Sequence, residues 1–260
     1  MRIVWAVLVL AAFLTPAARG EETAAVVAVL APTGTLRAAI NLGNAVLAHR
    51  DADGVVSGVS VDLARALAER IGVPLSLVTY DSAGAVSNAA GSNAWDICFL
   101  AVDPKRAEGI AFTAPYVVIE GSYLVPAGSP IRSMDDVDRA GIRIAVGRGS
   151  AYDLHLTRAI RHATLERAAT SPAAIALFVE SGLEVAANVR QPLEAYAAAH
   201  PEVRMLPGHF MEIAQAMGVP KDRIAGAAYL RRFVETMKAD GFVARSLKAN
   251  GQEATVAPAE

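Results

Sequence analysis

A single cysteine among 260 residues leaves the chain without an internal disulfide. Cys98 lies inside the apolar run "WDICFLAV" and reads as a small core side chain, since a reactive thiol needs an exposed, electropositive setting. An excess of either charge is missing too: 24 Lys and Arg against 26 Asp and Glu leave a formal net charge of -2. With no block of like charge and no concentrated basic patch, nucleic acid is excluded as a partner. The five histidines (His49, His155, His162, His200, His209) are scattered, with no i, i+4 pair beside a carboxylate. No metal site is therefore expected, and nothing calls for a cofactor. Beyond the N-terminus no apolar run approaches the roughly 18 residues of a membrane span.

What the sequence does have is apolar material: 53% of its residues are hydrophobic, enough for one large or two small domains with a real core. Its start, "MRIVWAVLVLAAFLTPAARGEE", places Arg2 before an apolar run from Ile3 to Leu14, then small residues around Ala17, Ala18 and Gly20. That layout predicts a signal peptide over residues 1–20 and an exported, periplasmic mature chain.

From Thr35 onward two signals alternate. "TLRAAINL" reads as a strand, and "SVDLARALAERIG" puts Val61, Leu63, Ala64, Leu67, Ala68 and Ile71 on one helical face, stopped by Gly72 with Pro74 beyond. "PLSLVTY" and "WDICFLAV" follow as strands. The same grammar restarts with "SMDDVDRAG" as a short helix capped by Ser133, "IRIAVG" a strand, "SAYDLHLTRAIRHA" a helix and "TLERAA" a strand. "SPAAIALFVESG" is a helix with Ser171 as cap and Pro172 first inside, and "LEVAANV" a strand. Two α/β sheets, mostly parallel and covered on both faces, are the expectation. The last long segment reads as helical on either side of Gly241, and the tail "QEATVAPAE" as frayed.

Four stretches in order, "GVSVDLARALAERIGV", "WDICFLAVDPKRAEGIAFTAPYVVIEGSYLV", "IRIAVGRGSAYDLHL" and "FVETMKADGFVARSLKANG", resemble the bacterial extracellular solute-binding proteins of the amino-acid type, family 3, which serve ABC importers. The resemblance implies an α/β, two-lobe periplasmic-binding-protein-like fold of type II, each lobe a mixed sheet flanked by helices, joined by two hinge strands. On that pattern lobe one is 21–117 plus 221–260 and lobe two is 118–220. It also implies a monomer that hands a small-molecule carboxylate to an ABC permease.

The candidate site follows from residues and resemblance together. Asp103 suits a helix N-cap and Pro104 a first helical position, so a helix is predicted to start at the carboxyl end of "CFLAV", where open α/β sheets place ligands. Arg106 stands on its first turn, with a planar fork that grips a carboxylate bidentately. It could equally pair with Glu108. In the resembled family an arginine here, after Thr-x-x-Arg, holds the ligand's α-carboxylate; this chain has Asp103-Pro104-Lys105-Arg106. "VGRGSAYD" offers a second contact, a glycine-bearing turn with Gly149 and Ser150 and, beyond them, Tyr152. The family's Gly-Thr-Thr is matched at Gly149 and Ser150, while Ala151 lacks a hydroxyl. Phe99, Leu100 and Ala101 stand where the family has small hydroxyl residues, which makes the wall less polar. Counting from Gly182 brings Arg190 near the family's ammonium-binding aspartate, where a cation would repel an ammonium; a one-residue slip would turn it to solvent. Asn41 and Asn44 could orient a ligand or serve only the turn at Gly43.

The resulting expectation is a periplasmic binding protein, not an enzyme. The competing class is a secreted cyclohexadienyl dehydratase-like enzyme on the same fold, which needs a positioned general acid. Ser150, Asp153 and His155 lie within one and a half helical turns and cannot converge as a hydrolase triad.

Overall fold

Short apolar runs punctuated by turns make the first half of the sheet. In the computed structural model, which describes residues 24–260 and so leaves the expected signal peptide outside the described residues, "LRAAIN" forms β1 (Leu36–Asn41). A small hairpin, β2 (His49–Arg50) with β3 (Val56–Ser57), precedes α1 (Val59–Ile71). Alpha-helix α1 buries Val61, Leu63, Leu67 and Ile71 as its spacing predicts, and Gly72 ends it at φ 71, a left-handed conformation that glycine adopts without strain. Strand β4 (Leu75–Tyr80), α2 (Ala83–Asn88, capped by the Ser82 hydroxyl) and β5 (Ile97–Ala101) follow, and β1 lies between β4 and β5, parallel to both.

Next comes β6 (Ile110–Pro126), a strand of 17 residues. The second half then repeats the first: β7 (Arg143–Gly147), α3 (Ala151–Ala159), β8 (Thr164–Ala168), α4 (Ser171–Glu180) and β9 (Val185–Val189), with β7 parallel to β8 and β9. The cap of α4 is Thr170, whose hydroxyl accepts from the Ala173 amide, and not Ser171 as the sequence suggested. Helix α5 (Arg190–Ala199), β10 (Val203–Met205), β11 (Met211–Pro220), α6 (Ile224–Ala239), α7 (Phe242–Ala249) and β12 (Thr255–Val256) complete the described chain.

The strand order β4-β1-β5-β11-β6-β9-β7-β8 shows how the halves join. Two separate sheets were expected, but β6 and β11 run antiparallel through both and make the ladder continuous. The C-terminal end of β11, Gln215 to Gly218, pairs with β5, while Gly121 to Leu124 of β6 pairs with β9. Between those two pairings lie Val117 to Glu120, which among the described residues pair with β11 and, at Val117 and Val118, with β12. Register shifts flank Ala216 in β11, local irregularities of the kind that bend a strand. The chain is hydrogen-bonded to the first half again from Ala214, whose carbonyl accepts from the Val102 amide at 2.9 Å, and pairs with β5 from Gln215. The tail is not frayed throughout: β12 pairs with Val117 and Val118, and Ala257 is buried.

One buried ion cluster ties the first half to the return segment. Asp96, fully buried, accepts from Arg37 at 2.7 and 3.0 Å and pairs with Arg223 at 2.5 Å. Burial alone would raise its carboxyl; Arg37 and Arg223 more than reverse that and hold it below the usual carboxylate value.

Candidate functional site

At the carboxyl end of β5 the chain turns sharply. The helix expected from Asp103-Pro104 is only a single 3-10 turn, Arg106–Glu108, closed when the Gly109 amide donates to the Arg106 carbonyl. No long helix dipole therefore stands behind Arg106. Asp103 serves the turn, accepting from the Lys105 amide at 2.8 Å, and its other oxygen accepts from Arg158 at 2.7 Å.

Arg106 folds inward and is 4% exposed. Its Nη1 donates to the Ala101 carbonyl at 3.0 Å and its Nη2 to the Gly149 carbonyl at 2.9 Å, across to the second half. Its Nε has no partner. Burial lowers the guanidinium from 12.5 to about 10, against the opposing pull of Asp103. Among the described residues no carboxylate is hydrogen-bonded to this buried cation.

The second half meets it through the turn before α3. Gly149 has φ 69, its amide donates to Asp153 at 2.8 Å, and a Cβ there would lie 2.8 Å from the Gly84 Cα. Glycine is thus required both for the conformation and for the approach of the two halves. Ser150 caps α3, its hydroxyl accepting from the Asp153 amide at 3.0 Å.

These residues enclose a cavity of about 30 Å³. Arg106, Ser150, Asn44, Ala101 and Tyr152, all expected in the site, line it, whereas Gly149 is held by Arg106 through its carbonyl and borders a neighbouring cleft instead. Three of its buried side-chain atoms lack a hydrogen-bond partner: Arg106 Nε, Asn44 Oδ1 and Tyr152 Oη. Buried polar atoms are nearly always satisfied, so three orphans in one small space mark a place for a polar ligand. Burial pushes the Tyr152 phenol up to about 12, which the neighbouring Ser171 and Ser150 hydroxyls, close by but outside hydrogen-bonding geometry, offset only in part.

Three expected site residues lie elsewhere. Phe99 points away from Leu100, as neighbours on a strand do, and packs edge-on against Tyr116 at 6.1 Å in the core. Asp103 sits behind Arg106, committed to Arg158. Arg190 begins α5 and is drawn outward to Glu120, with further contacts to Glu194 at 3.4 Å and the Gly208 carbonyl at 2.6 Å. Its position in the cavity wall is taken by Val189, one residue earlier. The sequence reading also missed Ser171, Ile213 and Gln215. The last two come from β11, which carried no recognisable strand pattern, whereas Ser171 had been assigned to a cap.

Among the described residues no Asp or Glu lines the cavity, and Arg106 is its one charged wall. Gly43 and Ser171 also border an apolar cleft of about 520 Å³ outside it, formed with Leu42, Ala45, Pro172, Ile175, Ala176 and Tyr196. Arg106 borders a second cleft of about 700 Å³, rimmed by Lys105, Glu108 and Arg148. No cluster of three His, Cys, Asp or Glu suited to a metal occurs among the described residues. Cys98 is fully buried, and burial pushes its thiol far above the ordinary range.

Comparison with known proteins gives a consistent picture. The family model of the bacterial extracellular solute-binding proteins, family 3, matches residues 36–251. No curated protein matches the sequence. Among solved structures, the solute receptor for L-cysteine of Neisseria gonorrhoeae superposes with a TM-score of 0.76 at 20% identity, covering 88% of this chain and 92% of that one. A mutant of ArgBP from T. maritima gives 0.75 at 17% identity, covering 88% and 100%. The ancestral amino acid-binding protein AncCDT-1, a precursor of cyclohexadienyl dehydratase, gives 0.71 at 21% identity, covering 84% and 96%. At these identities the likeness is one of fold, the type II periplasmic binding fold.

Proposed function

Because the chain belongs to the bacterial extracellular solute-binding proteins of family 3, we propose that it captures a small carboxylate in the Arg106 cavity and delivers it to an ABC permease from the periplasm, as a monomer. Lobe one is then the first half with the return segment, lobe two the block between the crossings near Val117 and Gln215, and β6 with β11 the hinge. The observation that carries this reading is the convergence of three orphaned polar atoms on a cavity whose one charge is Arg106. A carboxylate would accept from the free Arg106 Nε and from the Tyr152 hydroxyl. Walls from both halves let ligand binding favour the closed arrangement.

Removing the partner of a buried, hydrogen-bonded charge costs about 2–5 kcal/mol, or roughly 30-fold to several thousand-fold in affinity. Calorimetric titration of refolded protein against a panel of short carboxylates should therefore show binding that Arg106→Ala abolishes. Unchanged affinity in that variant would overturn the assignment. The dehydratase reading needs a positioned acid, and among the described residues the cavity walls supply neither carboxyl nor imidazole. Release of phenylpyruvate from prephenate would reverse that preference.

A further inference from the structure

Resting on the carboxylate reading, we infer that the ligand has no amino group: the site takes a 2-hydroxy or 2-oxo monocarboxylic acid whose apolar side chain lies in the cleft beyond Gly43 and Ser171. The inner cavity, about 30 Å³, has room for about two water-sized groups, the size of a carboxylate head and little more. An ammonium on the adjoining carbon would find no anion. The acids nearby are committed: Asp103 to Arg158, Asp153 to Arg167 and the Gly149 amide, Glu120 to Arg190 and His209. Where β9 reaches the cavity the side chain is Val189, 6% exposed. A desolvated ammonium beside the Arg106 cation is doubly disfavoured.

The remaining orphan suits a neutral group instead. Asn44 Oδ1 accepts from a 2-hydroxyl, and the same amide rotated by 180° donates to a 2-oxo oxygen. The rest of the ligand must leave the small cavity. Arg106 is shared with a cleft rimmed by charged Lys105, Glu108 and Arg148; Gly43 and Ser171 are shared with the cleft of about 520 Å³, whose walls are mainly apolar, with Glu180 its one charged residue. That volume lies within the range of small-molecule pockets, and its Leu42, Pro172, Ile175 and Tyr196 walls favour an apolar side chain.

Calorimetric titration of the refolded chain with matched acids tests this: 3-phenyllactate, phenylpyruvate and phenylalanine share one side chain, and lactate and alanine lack it. At least one of the two amine-free phenyl acids should bind on the order of 100-fold tighter than phenylalanine, and tighter than lactate. Val189→Asp, which supplies the missing anion, should shift the preference toward phenylalanine by at least about tenfold. Ala176→Trp, at an exposed position in the apolar cleft, should weaken the phenyl acids about tenfold and leave lactate within about twofold. Phenylalanine binding as tightly as its amine-free counterparts overturns the inference and leaves carboxylate capture standing. Equal affinity for lactate and 3-phenyllactate overturns the assignment of the cleft. A folded wild-type chain that binds no carboxylate overturns the underlying reading itself.

Discussion

Arg106 is expected to lower the stability of the ligand-free protein, so replacing it with methionine should not destabilise the fold. Burial brings the guanidinium from 12.5 to about 10, which corresponds to roughly 3 kcal/mol against the charged form. Both values lie above neutrality, so Arg106 is charged in the folded and unfolded states at pH 7; the penalty is then fully present, and it eases only as pH rises past about 10. Two hydrogen bonds, to the Ala101 and Gly149 carbonyls, return about 1 kcal/mol each. Arg106→Met removes all three contributions and places an uncharged chain of similar length among walls of mixed polarity, leaving a net change between zero and about 1 kcal/mol in favour of the variant. Thermal and urea unfolding of both proteins without ligand measure it, and at about 2–4 °C per kcal/mol the variant should melt at the wild-type temperature or a few degrees above. For comparison, Leu100→Ala, an ordinary core truncation, should lose about 2–5 kcal/mol. A loss of more than about 2 kcal/mol in Arg106→Met would refute the reasoning, because the arginine would then be a structural brace and not a cation held for a ligand.

Gly149→Ala should lower stability by roughly 1–2 kcal/mol through its left-handed backbone and weaken ligand affinity further through its contact with Gly84. Gly84→Ala, which has ordinary helical backbone but points at the Arg148 carbonyl 3.2 Å away, should weaken binding in titration while leaving the urea midpoint unchanged or raised. Asp96→Asn should cost roughly 3–5 kcal/mol at pH 7, since it strands Arg37 and Arg223. The Asp96 carboxyl is depressed, so its contribution is full above the ordinary value of 3.8 and fades as pH falls through the lower folded value; the gap between the two urea midpoints should narrow only below about pH 4.

The βα units were legible because each is local: β1, α1 and β4 announce themselves by period and by Gly72, and Ser150 by its place as a cap. Strands β6 and β11 were not, because they owe their length to each other. Gly121, Pro115 and the register shifts around Ala216 break any simple alternation, and no short window sees the partner strand about 100 residues away. A still longer separation hid β12, whose two residues pair with Val117 and Val118. Arg106 could be found from position alone, at the end of a buried strand, although its supposed helix shrank to one turn at Gly109. Arg190 could not, since a strand's last residue decides which neighbour faces the cavity, and β9 stops at Val189. Gln215 left no local trace at all: its place in the wall comes from the pairing of β11 with Ala101.

The bond from Arg106 to the Gly149 carbonyl joins the two halves directly, through protein atoms alone. One such contact, at about 1 kcal/mol, multiplies the closed population about fivefold. Under the proposed delivery to an ABC permease that reads the closed shape, that amounts to a background signal. Empty molecules would reach the pump in the same outline as loaded ones and compete with them for the docking face. Cargo therefore sharpens a bias already present in place of creating one, and transport at low solute would be limited by the ratio of full to empty closed carriers. Its dependence on carrier concentration would then pass through a maximum, because each added empty carrier is also an inhibitor.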